Sequence, residues 1–222
     1  VLASSPQYNM DSVELFENSD ENLSIGSYKN IKVNYINSKP RKFSNSSRFF
    51  QWIEFNFKSI LFIYKNRSDY DNIFIFSYPP TMNLVCIFTS RILKINTVYS
   101  LWELYPEIAE KLNEEPNKIL KLFFRYIDNY ALKTVNKVVV NSDDLKNYLI
   151  NNRNITSNKI NVINHFSPFM KSNYVPNFKL NNIFYAGNMS RPQNLSAFLR
   201  YFQKHFPSDW KLDIYGAGQE FN

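Results

Sequence analysis

The sequence predicts an α/β fold built on parallel strands and divided into two halves. Three observations lead there. Short apolar runs at residues 72–77, 97–101 and 137–140 alternate with longer segments of helical period. The runs read as continuous rather than alternating apolar stretches, as strands buried on both faces do. After an aperiodic stretch at residues 166–181, which contains Pro168 and Pro176, the same strand–helix–strand alternation restarts at Asn182.

Taken in order, residues 1–5 read as the end of a strand running into a loop, with no strand before it to pair with. That abrupt start suggests that the opening strand and helix of the domain lie outside the sequence. Residues 6–30 are polar, acidic and unpatterned, and are expected to form a long loop. Residues 31–36 alternate apolar and polar types and predict a strand. Ser46 or Ser47 can cap a helix running to about Lys65. On that helix Phe49, Ile53, Phe57, Ile60, Leu61 and Tyr64 share one face, and Glu54 to Lys58 is a favourable i,i+4 pair. This face is expected to be buried against the sheet. The alternative is a membrane-facing patch flanked by Arg48, Lys58, Lys65 and Arg67.

The strand at 72–77 ends at Tyr78-Pro79-Pro80-Thr81, where two prolines halt the ladder and Thr81 can cap a helix over 82–93. The next strand ends at Trp102-Glu103-Leu104-Tyr105-Pro106-Glu107. Two aromatics and two carboxylates thus crowd the carboxyl end of a strand, the rim where open α/β sheets bind ligands. The plainer reading has Trp102 and Tyr105 capping the core and both glutamates facing water. A short helix at 106–112 and a longer one at 117–135 follow. On the second, Ile119, Phe123, Tyr126, Ile127 and Tyr130 recur at helical spacing and are expected in the core. A strand at 137–140, a helix whose cap lies in Asn141-Ser142-Asp143-Asp144 with acids in its first turn, and a strand at 159–163 close the first half. The second half offers a strand at 182–186, Gly187-Asn188, a helix at 195–206, a strand at 211–215, and Gly216-Ala217-Gly218.

Composition narrows the function. Hydrophobic content of 44% supports a core, and the frequent asparagines, always interleaved with apolar residues, reflect base composition. Cys86 is the single cysteine, so no disulfide framework exists and a reducing cytoplasm is the simplest compartment. The formal charge is +7, but residues 1–30 carry five acids against Lys29, a net of −4, which leaves +11 on the rest. A positive body suits phosphate-bearing ligands, anionic membrane surfaces or nucleic acid. The lysines are scattered and no nucleic-acid motif occurs, which argues against nucleic acid. No signal peptide or spanning segment is evident.

Six pieces in order resemble a family-4 retaining glycosyltransferase of the GT-B architecture, two Rossmann-like domains facing across a cleft. They are Ser77-Tyr78-Pro79-Pro80, Trp102 to Glu107, Val138-Val139-Val140-Asn141-Ser142, Val162-Ile163-Asn164-His165, Phe184 to Asn188, and Ile214 to Gly218. The resemblance covers nearly the whole chain. It implies an acceptor-type domain over 1–165, an interdomain linker over 166–181, and the start of a nucleotide-sugar-binding domain over 182–222. It implies transfer of a sugar, with retention, from a nucleotide-diphosphate donor to a saccharide or lipid-linked acceptor in surface glycan synthesis. No metal or other cofactor is implied. The location would be cytoplasmic, peripheral at the inner face of an anionic membrane.

Under this resemblance Glu103 is the candidate catalytic carboxylate, and Pro79, Thr81, Trp102 and Tyr105 bind the acceptor. Many relatives carry a His-Asp pair where this chain has Trp102-Glu103, so the histidine is absent while a carboxylate persists. Gly187, Asn188, Arg191, Gly216 and Gly218 would hold the donor. Glycine lets a diphosphate approach backbone N–H groups closely, Asn188 can donate from its amide, and Arg191 can pair with phosphate oxygens. For each glycine alone, turn geometry is an equal explanation, and for Arg191 a solvated loop cation. The basic pair and the glutamate pair that complete such a site would lie beyond Asn222, so the isolated polypeptide is expected to be nearly inactive. Both histidines, His165 and His205, read as structural. A non-catalytic nucleotide- or glycan-binding module is the alternative.

Overall fold

The computed structural model describes residues 1–4, 18–20, 23–28, 31–36, 45–111, 117–164, 181–189 and 193–218. The chain divides into two compact units. The first comprises Val1–Ile108 and Pro116–His165, and the second Ala109–Glu115 and Phe166–Asn222. The expected linker falls almost entirely outside the described residues, as do His165 and Arg191.

The first unit opens with β1 (Leu2–Ser4), β2 (Asn18–Asp20), β3 (Leu23–Tyr28) and β4 (Ile31–Ile36), which form one sheet in the order β1-β4-β3-β2. β1 falls where a strand end was expected, and Leu2, Ala3 and Ser4 lie in parallel register with Asn34, Tyr35 and Ile36 of the later β4. One expectation is corrected here. The expected loop over 6–30 contains two strands, β3 running antiparallel to β4 from Leu23↔Ile36 to Tyr28↔Ile31. Leu23 and Ile25 carry the period-two signal, which the acidic residues just before them had obscured.

Helix α1 (Asn45–Lys65) leads to β5 (Asn72–Phe76), helix α2 (Met82–Ile87) with a π-helical turn at Phe88–Ile92, and β6 (Asn96–Leu101). Helices α3 (Glu107–Lys111) and α4 (Lys118–Thr134) follow, then β7 (Lys137–Val140), α5 (Asp143–Arg153) and β8 (Ile160–Val162). β5-β6-β7-β8 form a four-stranded, wholly parallel sheet flanked by helices, an arrangement consistent with a Rossmann-like α/β fold. The strand ends rise in register, Phe76 beside Ser100 and Leu101 beside Val140, so successive carboxyl ends emerge on one edge.

Local chemistry accounts for the boundaries. Asn117 caps α4 by accepting from the Leu120 N–H at 2.9 Å, and Ser142 caps α5 by accepting from Leu145 at 3.2 Å. Helix α5 stops at Asn154, which takes the left-handed conformation with φ 53°. Thr81 departs from its expected role. Its hydroxyl makes no cap, while its carbonyl accepts from the Asn56 side chain at 2.7 Å. The core gathers Ile75, Tyr99, Val138, Val140, Leu132 and Leu149 around the parallel sheet. Each such side chain contributes roughly 1.5–3 kcal/mol on burial.

Both long helices turn a different stripe inward from the one expected. On α1 the buried positions are Asn56, Ser59 and Ile63, while Phe49, Ile53, Phe57, Leu61 and Tyr64 are exposed, Phe57 at 61%. On α4 the core takes Asp128, Ala131 and Leu132, while Ile119, Phe123, Tyr126 and Tyr130 face outward, Tyr126 at 69%. Apolar residues surround both helices, so period alone cannot say which stripe packs.

The second unit contains β9 (Asn182–Ala186), α6 (Leu195–His205) and β10 (Lys211–Tyr215). β9 and β10 pair in parallel from Lys211↔Asn182 to Tyr215↔Ala186. His205 is exposed on α6, its ring 4.4 Å from that of Tyr201.

Candidate functional site

In the first unit the carboxyl ends of β5 and β6 are tied into one rim. The Ser77 N–H donates to the Ser100 carbonyl at 2.9 Å, and the Trp102 N–H donates to the Ser77 hydroxyl at 3.1 Å. The Trp102 indole N–H donates to the Ser100 hydroxyl at 3.1 Å, and its ring meets Phe76 edge to face with centroids 5.6 Å apart. The indole is thereby fixed yet 51% exposed, an aromatic platform at the strand end. Glu103 beside it is exposed and makes no hydrogen bond or ion pair with a described residue, so its carboxylate is free to accept from hydroxyl groups. An aromatic face next to a carboxylate suits a sugar, whose ring offers apolar C–H faces and hydroxyl donors.

The other expected acceptor residues are placed differently from one another. Pro79 follows a cis peptide bond and lines a cavity of about 910 Å³ together with Tyr78 and Met82. Thr81 is buried and its hydroxyl finds no partner. Tyr105 is half-buried, its ring edge-on to Phe124 and its carbonyl accepting from Arg153 at 3.1 Å. Trp102 and Glu103 therefore form the open part of the rim, and Tyr105 belongs to its support.

That support was not foreseen from the sequence. Arg153, only 1% exposed, donates through Nε and Nη2 to the two carboxylate oxygens of Glu107 at 2.9 and 2.6 Å. It also donates to Asn129 Oδ1 at 2.6 Å, and Tyr148 adds its hydroxyl to Glu107 at 3.1 Å. The two glutamates of the Trp102–Glu107 segment are thus divided, Glu103 outward and Glu107 inward. Burial alone would raise the Glu107 carboxyl, but the hydrogen bonds and charge of Arg153, with Tyr148, hold it below the ordinary range. Asp128 also faces Arg153, at 3.6 Å, too far for a hydrogen bond. Burial pushes its carboxyl up to about 7; Arg153 offsets this in part, and the Glu107 charge adds to the rise. One guanidinium serves two carboxylates, and the bidentate partner takes most of it. The signal available in the sequence was a basic residue in the last turn of α5, which is too common to single out Arg153.

In the second unit the loops after β9 and β10 lie backbone against backbone. The Gly187 N–H donates to Tyr215 O at 3.0 Å and the Met189 N–H to Ala217 O at 2.9 Å. A Cβ on Gly216 would stand 1.9 Å from Gly187 O, and one on Gly218 2.3 Å from Met189 O. Close loop packing thus demands these two glycines whether or not a ligand is present. The Gly187 and Met189 amides are engaged. Those of Asn188, Ala217 and Gly218 donate to no backbone group among the described residues, and Asn188 is exposed. The loop amides that remain free could serve an anion at the ends of two parallel strands.

The fold is that of an α/β protein whose parallel strands end in loops in each unit. No protein-family model matches the chain, and no curated protein matches it. Among the described residues no cluster of three metal-ligating side chains occurs, and no helix is long and apolar enough to cross a membrane.

Proposed function

We propose that the protein is a retaining glycosyltransferase of the GT-B type, moving a sugar from a nucleotide-diphosphate donor to a saccharide or lipid-linked acceptor. The observation that supports this most is the pairing of Trp102 and Glu103 on the rim of the parallel sheet, a fixed aromatic platform with a free carboxylate. In this reading Trp102 stacks on the acceptor sugar and Glu103 orients its reacting hydroxyl. The bond from the donor's anomeric carbon to the diphosphate oxygen breaks, one to the acceptor oxygen forms on the same face, and the acceptor's hydroxyl proton passes to the departing diphosphate oxygen. The loops carrying Gly187, Asn188, Gly216 and Gly218 hold the diphosphate, with Arg191 as a further cation. Catalysis is then mostly positioning and electrostatic stabilisation of the departing diphosphate, without a metal.

The exposed aromatic face of α1, bounded by Lys58, Lys65 and Arg67, supports peripheral contact with an anionic membrane where a lipid-linked acceptor would reside. A non-catalytic sugar- or nucleotide-binding module is the second reading. It is favoured by Trp102 standing where the resemblance expects histidine.

The test is release of nucleoside diphosphate from a panel of nucleotide-diphosphate sugars by the full natural polypeptide, with a mixed glycan acceptor. The expected result is turnover with one donor class, reduced about 100-fold or more in Glu103→Gln. Binding without release across every donor would establish the module instead, and a Glu103→Gln variant as active as wild type would remove Glu103 from the mechanism.

A further inference from the structure

The loop that follows β6 is gripped at both ends, and Glu103 lies between the grips. At the near end Trp102 is bonded to Ser77 and Ser100 through its backbone and indole N–H groups, each at 3.1 Å. At the far end a single nitrogen of Arg153, Nη2, donates to the Tyr105 carbonyl at 3.1 Å and to Glu107 Oε2 at 2.6 Å. One nitrogen thus fixes the loop by its backbone and by a side chain. Leu104 packs into the core, and Glu103 before it faces outward without a hydrogen bond to any described residue. The backbone from which its carboxylate projects is therefore placed by its neighbours.

Arg153 stands at the last position of α5, and its remaining donors spread from there. Nη1 donates to Asn129 Oδ1 at 2.6 Å and to the Arg125 carbonyl at 3.4 Å, both on α4, and Nε completes the pair on Glu107 at 2.9 Å. All five N–H donors of the guanidinium are directed at protein acceptors, and the side chain is fully enclosed. Two helices are thereby joined to the loop through one planar group. Neutralising Glu107 would take only a charge, whereas the fork also dictates direction.

We propose that Arg153 is a positioning residue for Glu103, holding the loop at Tyr105 and Glu107 so that the carboxylate meets the acceptor hydroxyl in productive geometry. This rests on the reading of Glu103 as the group that orients that hydroxyl. A misplacement of about 1 Å at a reacting group costs roughly 100-fold in rate, and a loop released at one of its two grips can move that far. Charge and position separate on substitution. Arg153→Lys keeps a cation for Glu107 but replaces the fork by one nitrogen with three donors. Glu107→Gln keeps the shape of the side chain and breaks the fork from the other side.

The experiment compares Arg153→Lys, Glu107→Gln and a control, Ile160→Ala in the core at the start of β8, all in the full natural polypeptide. It reads kcat and KM per folded molecule, and the ¹⁵N order parameters of Glu103 to Tyr105. The expected result is a kcat about 10- to 100-fold lower in the first two variants, with the donor KM unchanged. The order parameters should fall with it, from about 0.85 to below about 0.6. Ile160→Ala should be less stable with both readouts unchanged. Glu107→Gln, nearly isosteric, carries the test should Arg153→Lys not fold. Wild-type kcat in Arg153→Lys would show that charge alone suffices, and unchanged order parameters that Arg153 only stabilises. Equal losses in Ile160→Ala would show that any loosening of the fold does the same. Each of these overturns the proposal. A wild-type polypeptide without turnover refutes sugar transfer itself, and the order parameters then decide alone whether Arg153 holds the loop.

Discussion

Replacing Arg153 by methionine is expected to destabilise the first unit by about 3–5 kcal/mol, the cost of leaving buried carboxylates without their counter-charge. The side chain is fully enclosed, and removing it strands Glu107, Asp128, Asn129 and the Tyr105 carbonyl at once. Methionine keeps most of the apolar stem, so the loss reports the charge and hydrogen bonds rather than a void. Urea unfolding of Arg153→Met, Glu107→Gln and the double variant measures it. The double variant should lie well above the sum of the two singles in stability, because the second substitution removes a group the first has already orphaned. Additive losses would mean that the pair is not coupled.

The second large effect is a pH dependence centred on Asp128. Its carboxyl titrates near 7 in the folded chain against 3.8 for the ordinary group, with burial as the main cause. The folded state therefore holds a proton that the unfolded state releases, and stability from this site is full below pH 4 and lost as pH rises toward 7. Each pH unit in that window is worth about 1.4 kcal/mol, or about 4 kcal/mol in all. Glu107 has the opposite sign, because its lowered pKa adds stability above the ordinary carboxylate range that is lost on acidification. Measured against Asp128→Asn, wild-type stability should fall by about 2 kcal/mol between pH 5 and pH 7. A constant difference across that range would mean that Asp128 is ionised throughout.

Much of this architecture was legible in the residues. The strands at 31–36, 182–186 and 211–215 fall where their apolar patterns place them, because period and turn residues agree there. The helix cap within Asn141–Asp144 and the strand end before Trp102 were legible for the same reason. What sequence could not settle was direction. Glu103 and Glu107 are chemically alike, and the partner that draws Glu107 inward sits 46 residues away on α5. On α1 and α4, apolar residues on every side left the inward stripe to be chosen by tertiary packing, which took Asn56, Ser59 and Asp128 inside. Nor did the glycines of the second unit reveal that two backbones press together there, since that contact joins residues far apart in the chain.

The claim on which the functional account rests is that the loops after β9 and β10 receive a nucleotide diphosphate. Amide chemical shifts of the ¹⁵N-labelled chain, followed while UDP is titrated to saturation, test it most directly. The account predicts shifts concentrated at Asn188, Ala217 and Gly218, the loop amides left free by the packing, and their loss in Gly216→Ala, where the added Cβ meets Gly187 O. Saturating UDP that leaves those three amides unmoved would contradict it.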